Sequence, residues 1–215
     1  MIGIIDYGRG NLFSLRQALF ALGHEHEVTN DADLLGNYST VILPGVGAFG
    51  DAIAKLKSIG MDQALHQAAA RGTRLVGICL GMQLLATRSE EFGDHEGLDL
   101  IKGNVLRLPR AKNGDEQTRI PNIGWRRVTG EGGETFFEGI VQAPYFYFVH
   151  SYGFHCSDAR DVVGSIAVNG ENIAAIIMRG NVWGCQFHPE KSGPDGLRLL
   201  DRLVRAGSSL NNQPS

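Results

Sequence analysis

The stretch Leu75-Val76-Gly77-Ile78-Cys79-Leu80-Gly81-Met82-Gln83-Leu84-Leu85 constrains the fold more than any other part of this chain. An apolar run reaches a cysteine flanked by glycines, and helix-forming residues begin immediately after it. Gly-x-Cys-x-Gly at a strand-to-helix turn is a nucleophile elbow with sulfur in place of the serine oxygen. The turn is tight and strained, so the flanking positions cannot carry a Cβ. It lifts the side chain clear of the sheet. The helix start supplies backbone N–H groups and a positive dipole end, which favour a thiolate and later an oxyanion.

Strand and helix signals alternate through the first half of the chain. Ile2–Tyr7 reads as a strand and Leu12–Leu22 as an amphipathic helix. A strand near Glu27–Thr29, a short helix near Ala32–Leu35 and the apolar strand Thr40–Leu43 follow. Helical patterns cover Asp51–Lys57 and Met61–Arg71, then comes the strand Arg74–Ile78 and a helix from Leu80 to about Arg88. Strands that are apolar throughout and alternate with helices predict an α/β fold, a mostly parallel sheet with helices on both faces. From about Gly103 to Gln186 the signals become strand-like, with glycine-rich turns at Gly130–Gly133 and Asn169-Gly170 and an aromatic strand at Tyr145–Tyr152. This half predicts an antiparallel β extension, closed by a helix from about Pro194 to Arg205. One domain over residues 1–206 is expected, with a polar, disordered tail at 207–215.

A nucleophile needs a base. Val182–Glu190 reads as a buried strand ending in His188-Pro189-Glu190. Residues two apart in an extended segment point to one side, so Glu190 is placed to orient His188. Pro189 fixes φ between them. Cys79, His188 and Glu190 then form a nucleophile, a base and an orienting carboxylate. A cysteine after an apolar run is more often a small core residue, and Cys156 and Cys185 are read that way because neither has a glycine elbow.

Composition narrows the class of function. The 215 residues are 43% hydrophobic and 20% charged, typical of a globular domain with a real core. A formal net charge of −3 without a basic run argues against nucleic-acid binding. Three cysteines, one of them in a catalytic-looking turn, argue against a disulfide framework. A strand at the very start excludes a signal peptide, and no apolar run is long enough to cross a bilayer, so a cytoplasmic enzyme is expected, without metal or cofactor. Pro44-Gly45-Val46-Gly47-Ala48-Phe49-Gly50 follows one strand and precedes a helix. Such a loop is either a tight turn or a cradle of bare N–H groups. Beside Cys79 it becomes the second half of an oxyanion hole, with the Leu80 N–H as the first half.

Gly77–Gln83 together with His188-Pro189-Glu190 resembles the class I, or triad, glutamine amidotransferases. Five further blocks resemble the glutaminase subunits of imidazole glycerol phosphate synthases: Ile5–Asn11, Pro44–Gly47, Ile120–Trp125, Tyr147–Tyr152 and Gln186–Ser192. They fall in order along nearly the whole chain. The resemblance implies a flavodoxin-like fold and hydrolysis of L-glutamine to glutamate and ammonia. In that mechanism Cys79 attacks the side-chain amide, and His188 protonates the departing ammonia and then activates water against the thioester. It assigns the oxyanion donors to Leu80 and to Val46 or Gly47, after a rotation of the loop peptide that leaves the lone subunit weakly active. Gly47, Gln83, Ser151 and Tyr152 would hold the substrate, although Gln83 read alone is an exposed helix residue.

The resemblance also implies a heterodimer with a (β/α)8-barrel synthase subunit. The barrel receives the ammonia and makes imidazole glycerol phosphate and an aminoimidazole carboxamide ribonucleotide in histidine biosynthesis, a lyase step. Asn11, Asn122, Trp125, Arg126 and Tyr147 match the family's docking positions, with plain core packing as the alternative for Trp125 and Tyr147. Where the family reads Pro-His-Met-Gly-Trp-Asn, this chain has Pro121-Asn122-Ile123-Gly124-Trp125-Arg126. That departure leaves room for a paralogue that supplies ammonia to a surface-polysaccharide sugar amidotransferase. A stand-alone cysteine hydrolase and a non-catalytic binding module are the further alternatives; the intact Cys79, His188 and Glu190 speak against the latter.

Overall fold

The structure is a computed structural model that describes residues 1–111, 119–130, 137 and 144–205. Its first half comprises β1 (Ile2–Ile5), α1 (Leu12–Ala21), β2 (His26–Thr29), β3 (Thr40–Gly45), α2 (Phe49–Ser58), α3 (Met61–Ala70), β4 (Arg74–Cys79) and α4 (Leu80–Leu84). The short strands β5 (Arg88–Ser89) and β6 (His95–Glu96) lead to β7 (Gly103–Arg107), β8 (Asn122–Arg127) and β9 (Thr129–Gly130). The rest contains β10 (Tyr145–His150), β11 (Tyr152–Cys156), β12 (Val162–Val168), β13 (Glu171–Arg179), β14 (Val182–Cys185) and α5 (Gly193–Val204).

The large sheet runs β2-β1-β3-β4-β14-β13-β11-β7-β5-β6, with β12 and then β9 alongside β13. The strands from β2 to β14 are parallel to their neighbours. From β14 through β13 and β11 to β7 the pairing is antiparallel. This is the predicted architecture. β1, β3 and β14 are buried at every position, as expected of strands covered on both sides. Alternate residues divide between two cores. Ile42, Val76 and Ile78 join Leu15 of α1 and Leu199, Leu200 and Leu203 of α5. Val41, Leu43 and Leu75 join Phe49, Leu56 and Leu65 of α2 and α3 on the other face.

Two local expectations are corrected. α4 ends at Leu84 and not near Arg88. Its last carbonyls are taken by the segment that follows: Leu84 O accepts from Leu98 N–H, Leu85 O from Leu100 and Ile101, and Ala86 O from Asp99. Those tertiary bonds satisfy the helix end, so the chain turns away into β5. The His188–Glu190 segment is not extended either. β14 stops at Cys185, and Pro189–Lys191 forms a 3-10 turn with proline at its first position, where a missing N–H is harmless. The expected turn at Gly130–Gly133 mostly lies outside the described residues, as does the tail 207–215.

Candidate active site

Three adjacent parallel strands end at one level. The register pairs Gly45 of β3 with Cys79 of β4, and Ile78 of β4 with Cys185 of β14. The glycine loop, the cysteine and the segment carrying His188 therefore leave the sheet side by side, at the edge where open α/β sheets bind ligands.

Cys79 has φ 56° and ψ −114°, a region that side chains other than hydrogen rarely occupy. Holding a cysteine there costs on the order of 1–3 kcal/mol, which the surrounding packing must offset. That packing needs glycine. A Cβ at Gly77 would lie 2.6 Å from the Gly81 carbonyl oxygen, and one at Gly81 would run into the Leu43 carbonyl of β3. The helix after the elbow is a single turn of five residues. Its macrodipole is correspondingly small, and the direction of individual N–H groups matters more than the helix field.

His188 hydrogen-bonds Cys79 on one side. On the other its Nδ1 lies 2.8 Å from Glu190 Oε1, and both side chains are almost fully buried. Burial lowers the imidazole pKa, but the hydrogen bonds to Cys79 and Glu190 and the charges of both outweigh it, pushing His188 up to about 10. An imidazolium beside the sulfur supplies the positive charge that a thiolate nucleophile pairs with. Burial raises Cys185 well above the usual thiol range and Cys156 up to about 12.

Beside Cys79 lies a cavity of about 390 Å³, lined by Val46, Gly47, Gln83, Glu91, Ser151 and Tyr152 among others. A larger hollow of about 590 Å³, around Asp31, Gln63 and Arg71, contains none of these residues. Gln83 is buried, not exposed. Its Nε2 donates to the Tyr152 carbonyl at 3.0 Å and to Gln186 Oε1 at 2.9 Å, leaving Oε1 as its acceptor. Gln186 Nε2 in turn lies 3.9 Å from Cys79 Sγ. Glu91 Oε2 accepts from the Phe49 N–H at 2.7 Å, and burial pushes this carboxyl's pKa upward. In the glycine loop, Gly47 has φ 102°, and the Val46 N–H donates to the Arg9 carbonyl at 2.9 Å.

The five expected docking residues separate. β8 and β10 form a two-stranded ribbon whose outer face carries Ile123 against Val149, Trp125 against Tyr147 and Arg127 against Tyr145. Trp125 and Tyr147 meet edge to face with ring centroids 6.2 Å apart. Trp125 is 52% exposed, so it is not a core residue. Asn11 is half-buried and donates to Ser14 Oγ. Asn122 is corrected: strand alternation turns it, with the half-buried Arg126, to the inner face, where it is fully buried and accepts from Arg126 Nε at 2.8 Å. Two departures from the family pattern are thus partners of one hydrogen bond.

The profile of the family "Glutamine amidotransferase class-I" matches residues 3–205. This chain belongs to the class I glutamine amidotransferases. A subunit of this family named "Imidazole glycerol phosphate synthase subunit HisH", from Caldanaerobacter subterraneus, is 44% identical over 93% of this chain and 95% of its own length. Proteins of the same name from Desulfitobacterium hafniense and Moorella thermoacetica are 45% and 46% identical, over 94% and 93% of this chain and 93% and 91% of theirs. Among solved structures, a glutamine amidotransferase superposes with a TM-score of 0.70 at 18% identity, covering 94% of this chain and 97% of that one. The amidotransferase fold is therefore shared at low sequence identity.

Sequence reasoning missed Glu91, Gln186 and Ser192. Ser192 Oγ accepts from Tyr147 N–H at 2.9 Å and donates to the His188 carbonyl at 2.6 Å, while the His188 N–H donates to the Tyr147 carbonyl at 3.0 Å. Gln186 and Ser192 sit in a block read for its family likeness, and Glu91 carries no local signal. Among the described residues no helix is long and apolar enough to cross a membrane, and no group of three or more His, Cys, Asp and Glu side chains could hold a metal ion.

His150, another cavity residue, is buried, and burial drops its pKa to about 4. Unfolded histidine binds protons near pH 6.5, so between pH 6.5 and 4 the unfolded chain takes up the proton first and stability falls with pH. Urea unfolding at pH 7 and pH 4 should show wild type losing about 3 kcal/mol more than a His150→Asn variant.

Proposed function

We propose that the chain is the glutaminase subunit of an imidazole glycerol phosphate synthase, working with a (β/α)8-barrel synthase subunit. The observation that carries the glutaminase reading is the buried Cys79–His188–Glu190 arrangement at the mouth of the cavity. The names of relatives more than 40% identical over nearly the full length support the pathway.

In this reading the substrate carboxamide lies against Cys79. The thiolate adds to its carbon, His188 gives its proton to the leaving ammonia, and the neutral imidazole then deprotonates water that cleaves the γ-glutamyl thioester. Glu190 fixes the imidazole orientation through Nδ1. The Glu91 carboxylate and Gln83 Oε1 hold the α-ammonium, and the Gly47, Ser151 and Tyr152 backbones complete the pocket. Replacing Glu91 by glutamine removes the charge opposite that ammonium, so KM for glutamine should rise about tenfold or more with kcat changed far less.

The oxyanion receives the Leu80 N–H and, after rotation of the loop peptide, the Val46 N–H. At rest that second donor is engaged by Arg9 O, so the isolated subunit should turn over slowly. The outer ribbon face, with Ile123, Trp125, Tyr145 and Val149 exposed, suits a partner surface. Of the departures that raised the sugar-pathway alternative, Asn122 and Arg126 lie on the ribbon's inner face, and Ile123 on this outer face keeps it apolar. The test is glutamate release by the chain alone and with the barrel protein recovered by pull-down, with and without the nucleotide substrate of imidazole glycerol phosphate formation. Stimulation by barrel and nucleotide supports the reading; a recovered partner indifferent to that nucleotide rules out the histidine pathway.

A further inference from the structure

An uninterrupted series of hydrogen bonds crosses the inner side of the β8–β10 ribbon and ends at the nucleophile. Arg126 Nε donates to Asn122 Oδ1 at 2.8 Å. Asn122 Nδ2 lies 2.9 Å from His150 Nε2, and His150 Nδ1 lies 2.8 Å from the Tyr152 carbonyl. That carbonyl also accepts from Gln83, which continues through Gln186 to Cys79.

The donor directions are forced. A carbonyl only accepts, so His150 carries its proton on Nδ1. A neutral imidazole then offers Nε2 as an acceptor, which requires the amide nitrogen of Asn122 to face it. The Asn122 oxygen is left facing a donor, and Arg126, which cannot accept, supplies one. Every member is satisfied in one arrangement only. Gly124, at φ 133°, lies between Asn122 and Arg126 in the bonded strand.

We propose that His150, held in place at Nε2 by Asn122 and Arg126, is a positioning residue for the substrate pocket, fixing the Tyr152 carbonyl and through it Gln83. This rests on the glutaminase reading above. Asn122 and Arg126 touch neither the substrate nor the reacting sulfur; they act through His150. Loss of either leaves the Nε2 side of the imidazole unheld, so the ring and its bond to the Tyr152 carbonyl shift, and Gln83 is less well aimed at the substrate amine.

The test is steady-state glutamine hydrolysis by the complex with its recovered barrel partner. Asn122→Leu should raise KM about tenfold and Arg126→Leu about fivefold, with kcat within about twofold of wild type, because ground-state positioning is what is lost. Arg126→Lys keeps a donor and should return KM to within about twofold of wild type. In 15N spectra the His150 ring should be protonated at Nδ1 in wild type, and the unprotonated Nε2 resonance should shift in both leucine variants as its donor is lost or loosened. Arg126 is only half-buried, so its leucine variant keeps the test open should Asn122→Leu fail to fold. Unchanged KM in Arg126→Leu, or a fall in kcat alone, overturns the proposal. Glutamine hydrolysis that does not depend on Cys79 overturns the underlying reading instead.

Discussion

Cys79→Ala is expected to lower glutamate release by about 10⁴-fold or more, because no other group can form the thioester. Cys185 is the nearest alternative sulfur in sequence to His188, but it is fully buried in β14 and held protonated by burial. Cys156 lies at the end of β11, away from His188, and burial raises it too. The substitution removes one atom from a side chain at the cavity wall and leaves the backbone with a Cβ, so folding should be preserved. Glutamate measured by a coupled dehydrogenase assay, with a matched urea transition, separates the two effects. His188→Ala should fall by a similar factor, since one imidazole serves both the leaving ammonia and the incoming water. Residual activity within tenfold of wild type in Cys79→Ala would mean that water attacks the amide directly.

Among the described glycines, Gly81→Ala is expected to be the most damaging for stability. The added carbon would overlap the Leu43 carbonyl oxygen, a backbone atom in the central strand β3. Nothing flexible can give way there. β3 is hydrogen-bonded on both sides, to β1 and to β4, so displacing its carbonyl strains the middle of the sheet. The cost should be on the order of 3 kcal/mol or more, at the upper end for overpacking. Urea unfolding midpoints give the comparison. Gly36→Ala is the control: like Gly81 it is not at positive φ, and the added carbon meets only the end of the flexible Arg71 side chain, at 3.1 Å. A Gly81→Ala variant as stable as that control would show that the elbow can be rebuilt without the close approach.

The elbow and the parallel sheet were readable because their signals are local: apolar runs of strand length, glycines flanking one cysteine, and an apolar β14 before His188. Other features depend on atoms far away in sequence. The end of α4 is set by N–H groups of Leu98–Ile101, which no helix rule within residues 80–88 can anticipate. Pro189 permits either an extended chain or a 3-10 turn, and the local pattern did not decide between them. Glu91 reaches the cavity from a loop without a motif, held by the first N–H of a helix more than forty residues earlier. The ribbon was misread for a different reason. Both of its faces carry large apolar side chains, so the pattern did not show that Asn122 faces inward.

Under the proposed function, the bond from Val46 to Arg9 also bears on how a cell tolerates unequal amounts of two subunits. With its second oxyanion donor turned away at rest, surplus chain without a partner would idle and would not drain the glutamine pool. Losing that restraint would leave product formation intact while nitrogen leaked as free ammonia. Such a loss would register first as poorer growth on scarce nitrogen, with the pathway's end product still made at its usual rate.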